Sequence, residues 1–340
     1  MSVADDIRRA IQSAGGAIPF RRFMELALYG EHGFYTTGRA GRRGDFLTSP
    51  EVGPLFGAVL ARSLDAEFER LGRPDPFTVV DAGAGPGTLA RAVVAARPVC
   101  ASALRYVAVE VSAAQRADHP PDVESRGELP LGPIDGVVVA NELLDNLPFR
   151  LAVFDGAWRE ACVAEGADGA FVELLDAPID PVPSVLPPRP PHGARAPLQD
   201  GAADWLGAAT AMMRSGRVVA IDYTRGSTTE LAMSPWRDWL RTYRGHARGG
   251  HYLTAPGEQD ITADVALDQL PAPDVVGTQA QFLGRWGIAG LVDEGREAWA
   301  RAAASPDLRA LAMRSRAREA EALLDPAGLG AFTVAEWIVA

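Results

Sequence analysis

The segment Val79-Val80-Asp81-Ala82-Gly83-Ala84-Gly85-Pro86-Gly87-Thr88-Leu89 restricts the fold more than any other part of the chain. A β-rich run at 77–80 ends in an acid, passes through a glycine turn at 83–87 and enters a helix over 88–96. Glycine lets the backbone adopt positive φ and approach a ligand where a Cβ would clash. Amides at the start of the next helix then offer donors to a negative group. A tight strand-to-helix turn with no ligand is the plainer alternative. Position 88 is Thr. The dinucleotide fingerprint wants glycine there, which argues against a nicotinamide-dependent oxidoreductase.

Strand and helix keep alternating. Residues 105–110 read as a second strand ending in Glu110, 27 positions after Gly83. An acid at that place accepts hydrogen bonds from ribose hydroxyls in nucleotide folds. Residues 136–140 form another strand, apolar on both faces as in the centre of a parallel sheet. The alternation predicts an α/β fold. Upstream, Thr48-Ser49-Pro50-Glu51 reads as a helix start, with Thr48 or Ser49 as N-cap. Val52, Leu55, Phe56, Val59, Leu60, Leu64 and Phe68 then follow a helical period, which predicts one continuous helix.

Beyond Pro148 the pattern changes. Residues 149–154 and 158–163 around Asp155-Gly156 read as a β-hairpin, with a further strand at 171–175. Residues 177–197 hold eight prolines and read as a stiff connector. A helix at 204–213 and a buried strand at 217–223 follow. Residues 224–261 are rich in Arg, Gly and Trp and read as a functional loop with short helices, in which Trp236 and Trp239 serve packing. Helices at 278–287 and 307–324, the latter a solvated face, precede a last strand at 332–339.

The 33 basic residues are all Arg, against 44 acids, for a net charge of −11. That balance argues against a general polyanion binder, so no nucleic acid is expected. A hydrophobic content of 47% with 23% charge excludes a disordered chain. Cys100 and Cys162 cannot build a disulfide framework, and the five histidines show no metal-ligand spacing, so no metal is expected. No apolar run approaches the ~20 residues of a membrane span. The opening MSVADDIRRA has no signal-type apolar core. The expectation is a cytoplasmic protein, with a homodimer left open.

Val137-Val138-Val139-Ala140-Asn141-Glu142-Leu143-Leu144-Asp145-Asn146-Leu147-Pro148 places polar groups just past a buried strand, where open α/β sheets bind ligands. Asn141 and Asn146 are the chain's two asparagines. Local turn-capping is their plainer reading. The D-x-G-x-G-x-G spacing of residues 81–87 resembles motif I of S-adenosylmethionine (SAM)-dependent methyltransferases, whose acid positions the amino-acid end of SAM. Beside a methyl donor, Glu142 and Asp145 suit an amine or guanidinium acceptor. Paired carboxylates can bind arginine bidentately, align one nitrogen and accept its proton. Solvated acids at a helix start are the alternative.

Gly44-Asp45-Phe46-Leu47-Thr48-Ser49-Pro50-Glu51-Val52, Asn141-Glu142-x-x-Asp145-x-Leu147-Pro148, Asp222-Tyr223 and Asp260-Ile261-Thr262 together resemble the MidA-like methyltransferases. That family includes the mitochondrial protein arginine methyltransferase that assists assembly of respiratory complex I. Matches run in order across about residues 18–339. The resemblance implies a Rossmann-like class I core over 76–148 and 204–340, with an N-terminal segment at 1–75 and insertions at 149–203 and 224–262. It implies SAM as cofactor, held by Asp81, Gly83, Gly85, Gly87 and Glu110, with Asp45, Phe46, Thr48 and Ser49 forming part of the cofactor or acceptor pocket. Asn141, Glu142 and Asp145 would serve the acceptor, a protein presenting an arginine. The chain departs from the family pattern at Thr224, where glycine is usual, and at Asp264 and Ala266, which replace a His and an Asp. Those departures motivate an alternative, a catalytically weak assembly factor on the same fold.

Overall fold

The computed structural model describes residues 2–37, 48–245, 247–302, 304–305 and 307–340. Seven strands form the central sheet: β1 (Phe77–Ala82), β2 (Leu104–Val109), β3 (Glu124–Arg126), β4 (Ile134–Asn141), β5 (Met213–Asp222), β6 (Val275–Thr278) and β7 (Thr333–Val339). Their order across the sheet is β3-β2-β1-β4-β5-β7-β6. β7 runs antiparallel to both of its neighbours, and the other pairings are parallel.

The period-two alternation of strand side chains explains the apolar runs. Val79, Val137, Val139, Val219 and Ile221 face a layer built from helices Pro54–Arg70 and Thr88–Ala96 and from the C-terminal helices. Val80, Val138, Ala140, Val218 and Ala220 face helix Asp200–Ala211 through Ala202, Leu206 and Ala209. With both faces covered, β1 and β4 present no polar stripe. Their carboxyl ends, and that of β5, open on the same edge of the sheet.

A second, five-stranded sheet joins distant parts of the sequence. Ala17–Pro19 pairs with Trp158–Glu165, which also pairs with Arg150–Phe154 and Phe171–Pro178; Arg195–Leu198 closes the far edge. Its core gathers Phe20, Phe23, Phe149, Trp239 and Tyr252. The N-terminal segment, the hairpin and the 224–262 stretch therefore share one hydrophobic interior, although the sequence suggested separate pieces.

Three local expectations are corrected, and one helix is added. The helix expected from Thr48 to Phe68 breaks at Gly53 into Ser49–Val52 and Pro54–Arg70. A Cβ at Gly53 would stand 2.3 Å from the Glu319 side chain, whose carboxylate accepts the Leu55 amide at 2.8 Å. The proline-rich stretch is more than a stiff connector: Leu186 is buried, Trp158 Nε1 donates to the Pro187 carbonyl at 2.9 Å, and the chain returns as a strand. Helix Ile288–Ala302 was not foreseen. Helix Leu308–Leu324 buries Ala310, Glu319, Ala320 and Leu323, so it is a packing element and not a solvated face.

Candidate active site

A cavity of about 380 Å3 lies over the carboxyl ends of β1, β2 and β4. Asp81, Gly83, Gly85, Glu110, Asn141, Glu142, Asp145 and Thr48 all line it. The sequence reading thus converges on one place. Gly83 and Gly85 sit at φ 73° and 54°, where side chains are strained. Gly87, at φ 77°, is not in the lining; a Cβ there would meet Pro120 at 3.1 Å and His119 at 3.2 Å. It serves the turn and its packing against the 119–120 segment. Ser49 is likewise turned away: its hydroxyl donates to Gln279 Oε1 at 2.8 Å, and only its backbone N–H serves the site, toward the Glu142 carboxylate. Asp45 and Phe46 lie outside the described residues.

The half of the cavity over β1 and β2 is a cradle of backbone and carboxylates. Glu110 is held rigid, accepting the Gly85 amide at 3.0 Å on one oxygen and the Ser112 amide at 2.8 Å on the other. His119 spans the Ser125 hydroxyl and the Gly85 carbonyl at 2.8 Å each, bracing the glycine turn from below. Asp81 accepts the Tyr106 hydroxyl at 3.0 Å. Burial pushes its carboxyl up to about 7, and Glu110 adds to the rise. Gln115, the 127–129 loop and Trp205 complete this half. The sequence offered no periodic or motif signal for those residues.

The other half is acidic and aromatic. β4 ends at Asn141, and Glu142 follows at φ 53°, unusual for a residue with a side chain. Asn141 Nδ2 donates to Glu142 Oε1 at 3.1 Å, while Asn141 Oδ1 is buried without a hydrogen-bond partner. Asp145 sits on a single turn, Leu144–Asn146, anchored by Asp222 at the end of β5: its carboxylate accepts the Leu144 amide at 2.9 Å and the Asp145 amide at 3.3 Å. Asn146 donates to Asp260 at 3.1 Å, and Tyr35 donates to the same Asp260 oxygen at 2.9 Å. Tyr29 and Tyr35 stack with centroids 5.4 Å apart, and Tyr223 and Tyr243 complete the wall.

Burial and mutual crowding raise the proton affinity of Glu142, Asp145 and Asp222. Burial, then Asp145, lifts Glu142 to about 8. Asp145 is pushed well above the carboxylate range by burial and by Asp222 and Asp260. Burial and Glu142 lift Asp222 to about 7. Thr262 lies close enough to temper Asp145, yet neither its Oγ1 nor Asp145 Oδ1 meets hydrogen-bond geometry. A cation placed among these groups would relieve their mutual repulsion. Asp222, Asp260 and Thr262 carried no assigned role in the sequence, although all belong to the blocks that carry the resemblance.

The strand order, the cradle at β1 and β2, and ligand-facing polar groups at the strand ends define a class I methyltransferase fold and site. Glycines at positive φ, the amide-held Glu110, and Asp81 with no guanidinium beside it among the described residues all fit the nucleoside and ammonium of SAM. Residues 59–283 match the model of a family described as "Putative S-adenosyl-L-methionine-dependent methyltransferase", and the chain belongs to that family. It is similar to a Burkholderia thailandensis protein crystallised with S-adenosylhomocysteine (28% identical, 98% of this chain and 91% of that one covered, TM-score 0.82). It also resembles the Drosophila melanogaster mitochondrial protein named protein arginine methyltransferase NDUFAF7 homolog (29% identical over 313 residues, 78% of this chain and 68% of that protein). The human NDUFAF7 match is 32% identical over 80 residues, 23% of this chain and 18% of that protein. The chain is a SAM-dependent methyltransferase.

Proposed function

We propose that the methyl acceptor is an arginine guanidinium on a polypeptide. The observation that carries this reading is the chamber formed by Glu142, Asp145, Asp260 and four tyrosines against the cofactor cradle. Its carboxylates and ring faces suit a planar cation. The names of the relatives in fly, mouse and human point the same way.

Bound SAM supplies an activated methyl group on a sulfonium. Asp81 and Glu110 hold its ammonium and ribose, and Gly83 and Gly85 let it lie against the backbone. Glu142, fixed by Asn141 and the Ser49 amide, would face the acceptor nitrogen and take the proton that nitrogen loses as its bond to the methyl replaces the methyl–sulfur bond, with the thioether leaving. Asp145 orients the second guanidinium edge. The alternative of a weak assembly factor rested on Thr224, Asp264 and Ala266. All three lie outside the cavity lining: Thr224 bonds Thr333 at 2.7 Å, Asp264 pairs with Arg225 and Arg241, and the Ala266 amide donates to Gln199 at 2.7 Å.

The test is transfer from isotope-labelled SAM into a cell extract, followed by acid hydrolysis and amino-acid analysis. Label in methylated arginine supports the reading. Label confined to other amino acids, or to small molecules, overturns it.

A further inference from the structure

A second cavity of about 350 Å3 is lined by Trp236, Arg237, Arg241, Arg248, His251 and Tyr252, with Leu240, Thr242 and two glycines. Among the described residues no Asp or Glu lines it, in a chain whose acids outnumber its arginines 44 to 33. Two of its guanidiniums are committed differently from the rest. Arg241 is paired with Asp264 at 2.5 Å, as Arg195 nearby is with Glu173. Arg237 instead lies over the Trp236 ring, 4.2 Å from its centroid, and Arg248 donates to the Arg237 carbonyl; among the described residues neither pairs with a carboxylate. Burial holds the His251 imidazole below its usual range; Glu173 opposes this, and Arg195 and Arg237 reinforce it.

Strand Leu240–Arg244 joins this cavity to the acidic chamber. Arg241 and Thr242 line the basic cavity, and Tyr243 lines the acidic one. The Arg241 guanidinium also lies 4.9 Å from the ring of Tyr223, a wall of the acidic chamber. Neighbouring residues of one strand, about 3.8 Å apart at Cα, thus face two chambers of opposite charge.

We propose that the Arg237–Arg248 cavity is a subsite for a carboxylate side chain of the acceptor polypeptide, within a few residues of the methylated arginine. The proposal rests on the reading of the acceptor as an arginine-bearing polypeptide. The occupant is an acidic peptide and not a nucleic acid, because a chain of net charge −11 repels an extended polyanion, whereas one carboxylate meets two guanidiniums locally. Selectivity would then arise from a charge pair, an acceptor cation in one chamber and an anion in the next.

The test is fluorescence-polarisation binding of labelled nine-residue peptides to the SAH-loaded protein. Each peptide carries a central arginine with one Glu placed in turn at each other position, and Gln at that position in its control. Parallel sets replace the arginine by citrulline. Binding about tenfold tighter for Glu than for Gln at one or two positions is expected. That preference should vanish in Arg237→Gln/Arg248→Gln and reverse toward Lys peptides in Arg237→Glu/Arg248→Glu. Both arginines are exposed, and unchanged melting temperatures would confirm folding. Equal binding of every Glu and Gln pair by the wild type, or a Glu preference that survives both variants, overturns the subsite. A Glu preference that persists with citrulline at undiminished affinity supports the subsite but removes the arginine reading. A single-stranded oligonucleotide that binds more tightly than the Glu peptides, through the same two arginines, replaces the proposed occupant and overturns the proposal.

Discussion

Glu142 concentrates the chemistry at the scale of a single residue. Its positive φ aims the carboxylate off the end of β4, and burial, then Asp145, pushes its titration to about 8. Replacing Glu142 by Gln keeps the size and the Asn141 contact but removes the proposed proton acceptor. Turnover should fall about 10²- to 10⁴-fold, with SAH affinity by calorimetry unchanged; a fully active variant removes the assigned role. The same substitution changes the pH dependence of stability. An ordinary glutamate titrates near 4.5, so between about pH 4.5 and 8 the folded chain holds a proton that the unfolded chain has released. Stability therefore falls as pH rises through that window and is level above it. Asp81 and Asp222, both lifted to about 7, contribute with the same sign from about 3.8 upward. Thermal melts from pH 5 to 8 should show a smaller decline in Glu142→Gln than in the wild type. Gly85→Arg tests the cradle: it forces a side chain at φ 54° into the lining, and SAH binding should be lost. Retained affinity there would place the cofactor elsewhere.

Elements act here through their ends. β5 does not merely flank β4. Its last residue, Asp222, ties down the turn at 144–146 that carries Asp145. Asp222→Ala would leave two buried amides without acceptors, a cost of about 1–3 kcal/mol each where water cannot replace the bond. The expected outcome is a lower melting temperature together with a turnover loss greater than any change in SAH affinity, since the Glu110 cradle lies on another strand. Equal losses in both would mean that the turn does not position Asp145 separately. Helix Pro54–Arg70 shows the converse arrangement, a first turn whose Leu55 amide is satisfied by Glu319 from far down the chain.

At the scale of the whole molecule, buried ion pairs clamp β5 and β7 to helix Pro54–Arg70. Arg217 bridges Glu67 and Glu336, both about 1% exposed, at 2.6 Å each, and Arg285 adds a second contact to Glu336. Burial alone would raise Glu67, but Arg70 and Arg217 together hold it below its ordinary value. Arg217→Met removes the shared cation and leaves Glu67 to Arg70 and Glu336 to Arg285, which should destabilise the fold by about 1.5–3 kcal/mol. Denaturant unfolding would measure this. The per-molecule SAH affinity of the remaining folded protein should stay near wild type, because none of these groups lines the cavity.

The sequence by itself determined the elements whose physics is local. Strand, glycine turn and helix at 77–96 follow from an apolar run, positive-φ glycines and a helical period. The acids at the ends of β1, β2 and β4 follow from strand-end logic, and the cofactor class follows from the resemblance of residues 81–87 to motif I of SAM-dependent methyltransferases. What only the tertiary structure decided is non-local. Asp260, Tyr29 and Tyr35 reach Asn146 and the acceptor chamber from segments more than a hundred residues away, and no periodicity marks such a meeting. Motif spacing singled out Gly87 and the family resemblance singled out Ser49, but neither records which way a residue faces in the folded chain. The proline-rich stretch read as a stiff connector because composition cannot show that a distant strand edge will pair with it. Local conformational preference is written residue by residue, whereas burial, charge crowding and the sharing of one cavity are properties of chains brought together.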